Sequence, residues 1–148
     1  MPVVNANQSE NIQKQIVYSI KKIDLFHQSL DIPQDFSPSN TSDLKFKFDV
    51  RIEASVELST VSITVTYEFY KKESNLLALG VENVFGVNDV DSLIKNGTVN
   101  LTDFSLFLVQ LSINHLRGIQ SYIIKGTPLA NLYVPVFTNE EIINKVFS

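Results

Sequence analysis

At 148 residues, 44% hydrophobic and 10% aromatic, the chain is long enough for one buried core and too short for a multi-domain machine. Its 16 acidic and 12 basic residues give a formal charge of −4, which excludes the basic surface that a phosphate backbone requires, and with it nucleic acid as a partner. The absence of cysteine excludes disulfides, thiolate metal sites and a cysteine nucleophile, and suits a reducing cytoplasm.

Residues 1–14 are mostly polar and are expected to form a flexible N-terminal arm ahead of a single domain over residues 15–148. The start lacks the basic stretch and apolar run of a secretory signal, and no segment reaches membrane-spanning length. A cytoplasmic chain without membrane insertion is expected. From residue 16 to 25, Ile16, Tyr18, Ile20, Ile23 and Leu25 fall at near-strand spacing and predict a first strand. A loop over residues 31–42 follows, marked by Pro33 and Pro38, and it carries Ile32 and Phe36, two apolar side chains that need cover.

The clearest periodicity comes next. Leu44, Phe46, Phe48, Val50, Ile52, Ala54, Val56 and Leu58 alternate with Lys45, Lys47, Asp49, Arg51, Glu53, Ser55, Glu57 and Ser59. Side chains of a strand point to opposite faces with period two, so this run predicts an antiparallel sheet with one apolar and one wet face. The parity then flips to Val61, Ile63, Val65, Tyr67 and Phe69, which places a turn between residues 53 and 60. Residues 71–75 read as a polar turn. Residues 76–87 read as a fourth strand, in which Gly80 marks a candidate bulge.

After a connector over residues 88–100 with an Asn96-Gly97 turn, the period lengthens to about 3.6, and Thr102 caps a long helix. Phe104, Leu108, Leu111, His115, Ile119 and Tyr122 form one apolar stripe of that helix. Leu106, Val109, Ile113, Leu116 and Ile123 form a second. One sheet face covers only one stripe, so the first is assigned to an oligomer interface. Gly126 and Pro128 end the helix, residues 129–137 are extended, and Thr138 with Glu141 has capping-box spacing for a short helix over residues 139–147. The fold class is thus α+β: a four-stranded antiparallel sheet, a long helix and a short C-terminal helix.

This order resembles the SecB-like protein-export chaperone family over residues 16–147. The strings that carry the likeness are Asp35-Phe36-Ser37-Pro38, similar to the family's Asp-Trp-x-Pro loop with Phe for Trp, then Asn83-Val84-Phe85-Gly86-Val87, then Arg117 within the helix followed by Lys125-Gly126-Thr127 and Leu129-Ala130-Asn131-Leu132-Tyr133-Val134-Pro135-Val136. The resemblance implies an ATP-independent holdase for unfolded polypeptides, assembled as a homotetramer from two dimers, with no cofactor. By position it puts a client groove along Phe36, Phe46, Phe48, Ile142, Ile143, Val146 and Phe147. The family docks on the SecA motor through acidic residues of the sheet. Here Asp24 is kept, but Gln28 stands where a glutamate is expected and the turn reads Lys71-Lys72-Glu73. An acidic C-terminal tail is also missing from a chain that ends at Ser148. Both SecA and an antitoxin therefore stand as candidate partners.

Plainer readings compete. His27 and His115 have no ligand- or triad-spaced neighbours, and Glu82, Asp89 and Asp91 lack the ligand series of a calcium loop, so no metal and no catalytic residue is assigned. Glu140 and Glu141 suit the first turn of a helix. Arg117 reads either as an interface residue or as a snorkelling side chain, and for Phe36, Phe46 and Phe48 core packing under a helix is a serious rival, the groove claiming only part of that row. A hot-dog-like thioesterase also wraps a sheet around a helix but places that helix early, between strands. A lipid- or protein-binding module uses the same apolar surface without holding unfolded chains.

Overall fold

Period-two alternation over so long a stretch forms long strands. In the computed structural model, which describes residues 15–37 and 44–146, the strands are β1 (Tyr18–Leu30), β2 (Leu44–Ser55), β3 (Thr60–Lys71) and β4 (Ser74–Val87). They make one antiparallel sheet in the order β1-β4-β3-β2. The expected N-terminal arm and Phe147 lie outside the described residues.

Register decides which side chains share a face. Phe48 is opposite Tyr67 and Tyr67 opposite Leu79; Val50, Val65 and Val81 form the next row, and Ala54, Val61 and Phe85 another. These rows build the buried inner face. The apolar row of β2 ends earlier than its composition suggests. Val56 and Leu58 sit in the turn between β2 and β3 and are exposed, because the chain reverses where Ser59 takes a positive φ of 53°.

The first strand is longer than expected and does not keep strict alternation, since β1 carries an extra residue at Lys21 and another at Phe26. The Phe26 bulge falls between the partners Val81 and Gly80, and the Lys21 bulge between Phe85 and Val84, one pair beyond Gly86. A Cβ on Gly80 would come within 2.5 Å of the Phe26 ring, and one on Gly86 within 2.6 Å of the Lys21 side chain. The glycine predicted to mark a bulge therefore makes room for a bulge in the neighbouring strand.

Beyond β4 the connector holds a 3-10 turn (Val90–Leu93) and a small hairpin of β5 (Ile94–Lys95) and β6 (Thr98–Val99), tightened by Asn96 and Gly97 at positive φ. Helix α1 (Asp103–Ile123) starts at Thr102, whose hydroxyl accepts from the Ser105 amide while the Ser105 hydroxyl accepts from the Thr102 amide. It lies on β3 and β4. Helix α2 (Asn139–Val146) is capped by Thr138 and Glu141 as the sequence predicts, and rests on β2. The long helix follows all four strands, unlike the hot-dog arrangement. Among the described residues no helix is long and apolar enough to cross a membrane.

Candidate functional site

At the outer end of the β2–β3 hairpin, five rings gather. Phe46 stacks over Tyr67 at 6.0 Å, with Phe69 at 6.4 Å and Phe137 at 6.0 Å; Phe137 lies 3.8 Å from Phe48. Phe46 is the wet member of this cluster, 42% exposed, whereas Phe48, Tyr67, Phe69 and Phe137 are buried. The Tyr67 hydroxyl has no hydrogen-bond partner among the described residues. Burial pushes its pKa far upward against a smaller opposing pull from Arg117, so it stays neutral and serves as a packing ring.

Phe137 is held there by a strap. The stretch expected to be extended over residues 129–137 is so only in part: residues 128–131 form turns, with the Ala130 and Leu132 amides donating to the Thr127 and Leu129 carbonyls, and residues 132–137 then run alongside α1, which grips their carbonyls with three side chains. Gln120 donates to the Leu132 carbonyl at 3.2 Å, the Arg117 guanidinium to those of Val134 and Pro135 at 3.4 and 2.6 Å, and Gln110 to that of Phe137 at 2.9 Å. A strap with Pro135 inside it is poorly suited to a strand ladder, so side chains satisfy carbonyls that a neighbouring strand would otherwise take. Arg117, read from sequence as an interface or snorkelling residue, clamps the strap of its own chain.

The predicted groove residues separate accordingly. Phe46, Phe48, Ile142, Ile143 and Val146 come together around β2 and α2, but Phe48 and Ile142 are enclosed in the core rather than lining a surface. This corrects their assignment as groove wall: Phe137 caps the first, and the second is the face by which an amphipathic α2 docks. Ile143 and Val146 are half-buried at the edge of the cluster. Phe36 lies apart, in a hollow with Pro33 and Leu76, its ring 5.8 Å from the Lys71 ammonium. Phe137 was missed because a lone aromatic after a proline in a linker has no periodicity to announce it.

A second apolar surface runs along β1. Its inner face is only partly covered by α1: Ile20 is 49% exposed and Ile23 44%. Tyr18 packs edge-on against Phe104 at 6.1 Å and Phe107 at 5.6 Å. At the other end Leu30, Tyr122 and Ile123 line an open hollow of about 790 Å3. Of the stripe assigned to an interface, Tyr122 is exposed and Phe104, Leu111, His115 and Ile119 are half-buried. Leu108 is fully enclosed and offers no area to a second subunit, which corrects its place in that stripe. The more enclosed stripe is the other one, with Leu106, Val109, Ile113 and Leu116 buried. Phe107, in neither stripe, is 47% exposed on the same side as Tyr18.

His115 ties helix to sheet. The Asn83 amide nitrogen donates to the Ile63 carbonyl at 3.4 Å, which turns its oxygen to His115, so Nδ1 carries the proton and donates at 2.6 Å. Burial lowers the His115 pKa below its ordinary 6.5. The unfolded chain then binds a proton more readily than the folded one, so stability is full above about pH 6.5 and declines as pH falls from there through the lowered folded value. Urea midpoints at pH 7.5 and 5.5 should differ more for the wild type than for His115→Gln; equal pH dependence would remove the imidazole from this role. Among the described residues no group of three or more histidine, aspartate or glutamate side chains is placed to hold a metal ion.

Comparison with known proteins supports the fold. No protein-family model matches the sequence, and no curated protein matches it. Among solved structures, it is similar to the SecB-like chaperone Rv1957 of Mycobacterium tuberculosis, solved in complex with a ChAD peptide from the Rv1956 HigA1 antitoxin. The TM-score is 0.57 at 11% identity, over 82% of this chain and 91% of that one. A protein of unknown function from Streptococcus agalactiae aligns with a TM-score of 0.44 at 7% identity, over 84% and 99% of the two chains. The fold is therefore SecB-like: a four-stranded antiparallel sheet followed by a long and a short helix.

Proposed function

We propose that this chain is a non-enzymatic chaperone subunit that holds unfolded polypeptides without nucleotide, and that it works in the cytoplasm as a homotetramer built from two dimers. The observation that carries this reading is apolar surface in excess of what one subunit covers: the trough of Ile20, Ile23, Phe107 and Tyr122 on one side and the open edge of the aromatic cluster at Phe46 on the other. Unfolded chains share exposed apolar side chains but no common sequence, so an aromatic and aliphatic wall binds them promiscuously. The SecB-like fold supports the same reading. Light scattering should give the mass of four subunits, and a molar equivalent should suppress aggregation of a denatured protein diluted into buffer. An inert monomer would overturn the proposal.

Between export and an antitoxin-directed role, one observation favours the second. On the outer face of the sheet Asp24 and Glu82 each lie 3.8 Å from the Lys22 ammonium, so the acids that a basic docking partner would seek are already partly neutralised. Rv1957 was solved with an antitoxin peptide, and a segment of an antitoxin is a fitting client here too. Calorimetry with the zinc-bearing tail of SecA should show little or no heat, and tight binding would restore the export role.

A further inference from the structure

Asn96 is the one asparagine of the chain that glycine follows, and the fold sets the pair at the tip of the β5–β6 hairpin. Lys95 pairs with Thr98, so Asn96 and Gly97 make up the whole turn, both at positive φ, 55° and 79°, as a tight two-residue reversal between strands requires. Both are exposed. A Cβ on Gly97 would meet nothing within 4 Å, and among the described residues neither the Asn96 carboxamide nor the Gly97 amide has a hydrogen-bond partner. The other described asparagines lack this combination. Asn83 and Asn88 have engaged carboxamides, for instance, while Asn75 and Asn131 precede leucines, whose side chains crowd the next amide.

We infer that Asn96 is a self-modification site, at which the folded chain deamidates without an enzyme and so loosens this hairpin from β2. The Gly97 amide nitrogen gives its proton to water or hydroxide and bonds to Cγ of Asn96. The Cγ–Nδ2 bond breaks, ammonia leaves with a proton from solvent, and a five-membered succinimide closes. Glycine favours this attack because no side chain stands beside the attacking nitrogen. Water then opens the ring at either carbonyl: cleavage between Cγ and nitrogen leaves aspartate on an unaltered backbone, whereas cleavage at the backbone carbonyl leaves isoaspartate, with the chain running through Cβ and Cγ. One water is consumed and one ammonia released, and nothing is oxidised or reduced. Each product changes how the hairpin sits. Gly97, Thr98 and Val99 share a hollow of about 250 Å3 with Ile52, Glu53 and Ala54 of β2, so the new carboxylate arises beside a hollow that already holds an acid, and like charges repel. Isoaspartate also adds a backbone carbon to a turn with no slack, which breaks the Lys95–Thr98 register. Ile52 and Ala54 lose cover in consequence.

The test incubates the full chain at neutral pH for weeks, folded and in urea, and follows each asparagine by digestion and mass spectrometry. In the folded chain the peptide holding Asn96 should gain about 1 Da, about tenfold faster than those holding Asn75 or Asn131 in the same digest. It should also split into two species of equal mass, one of which accepts a methyl group from a protein isoaspartate methyltransferase. Conversion no faster than at Asn75, or conversion in urea alone, overturns the site. The folded fraction that has gained a negative charge, separated by ion exchange, should exchange the amide hydrogens of residues 94–99 about tenfold faster while β3 and β4 keep their protection. Equal protection of the hairpin in both fractions overturns its loosening.

Discussion

Replacing Ile142 with alanine is expected to lower the stability of the subunit by about 3 kcal/mol, within the usual range for emptying a fully buried aliphatic site. Ile142 is the buried residue of α2, and a helix of eight residues does not hold itself together in water. Its helicity depends on that anchor, on the Thr138 and Glu141 cap, and on the strap that delivers Phe137 to Phe48. The expected consequence is local as well as global: amide hydrogens of residues 139–146 should exchange much faster, and an apolar dye should report the uncovered Phe46 and Phe48. Ile143→Ala, at a half-buried position on the same helix, should cost clearly less. Equal costs for the two variants, with α2 still protected, would show that the helix is held by something other than its buried face.

How much of this was legible in the sequence depends on how strongly each stretch repeats. The β2–β3 hairpin and α1 were legible because Leu44 to Phe69 keep a period of two and Phe104 to Ile123 a period near 3.6, patterns that tertiary packing confirms rather than overrides. β1 was read short because its two bulges break the alternation: Ile20 and Ile23 share a face although they are three residues apart. The end of β2 was read long because Val56 and Leu58 continue the apolar spelling into a turn that no glycine or proline marks. The β5–β6 hairpin, two residues per strand, is too short to carry any period.

The candidate site was legible in part of its membership, since Phe36 lies apart and Phe137 went unread, and not in its layering. Sequence identified Phe46, Phe48, Ile142, Ile143 and Val146 as companions, and the structure brings them together around β2 and α2. Which of them face water depends on where the strap lies, and its path is set by Gln110, Arg117 and Gln120, polar residues on a helix whose targets are carbonyls that no sequence pattern displays. Leu108 reads as an interface residue on a helical wheel and is enclosed in the folded subunit.

Introducing glutamate at Ile23 and Phe107 together is expected to break the proposed assembly into single subunits of 16.7 kDa while leaving the fold of each nearly intact. Both side chains are close to half-exposed in the isolated subunit, and substitutions at such surface positions ordinarily change stability by about 0.5 kcal/mol each. In an assembly closed over the β1–α1 trough the same two carboxylates would be desolvated without partners, and each unpaired buried charge costs several kcal/mol. If the trough is closed twice by a twofold axis, four charges are introduced per interface, far beyond what a typical association energy withstands. Light scattering and urea denaturation of the double variant separate the two effects: the mass should fall with little change in the concentration-independent part of the stability. An unchanged mass would move the interface elsewhere and leave the trough of Ile20, Ile23, Phe107 and Tyr122 as client surface, whereas collapse of the fold at any concentration would show that these side chains support the subunit itself.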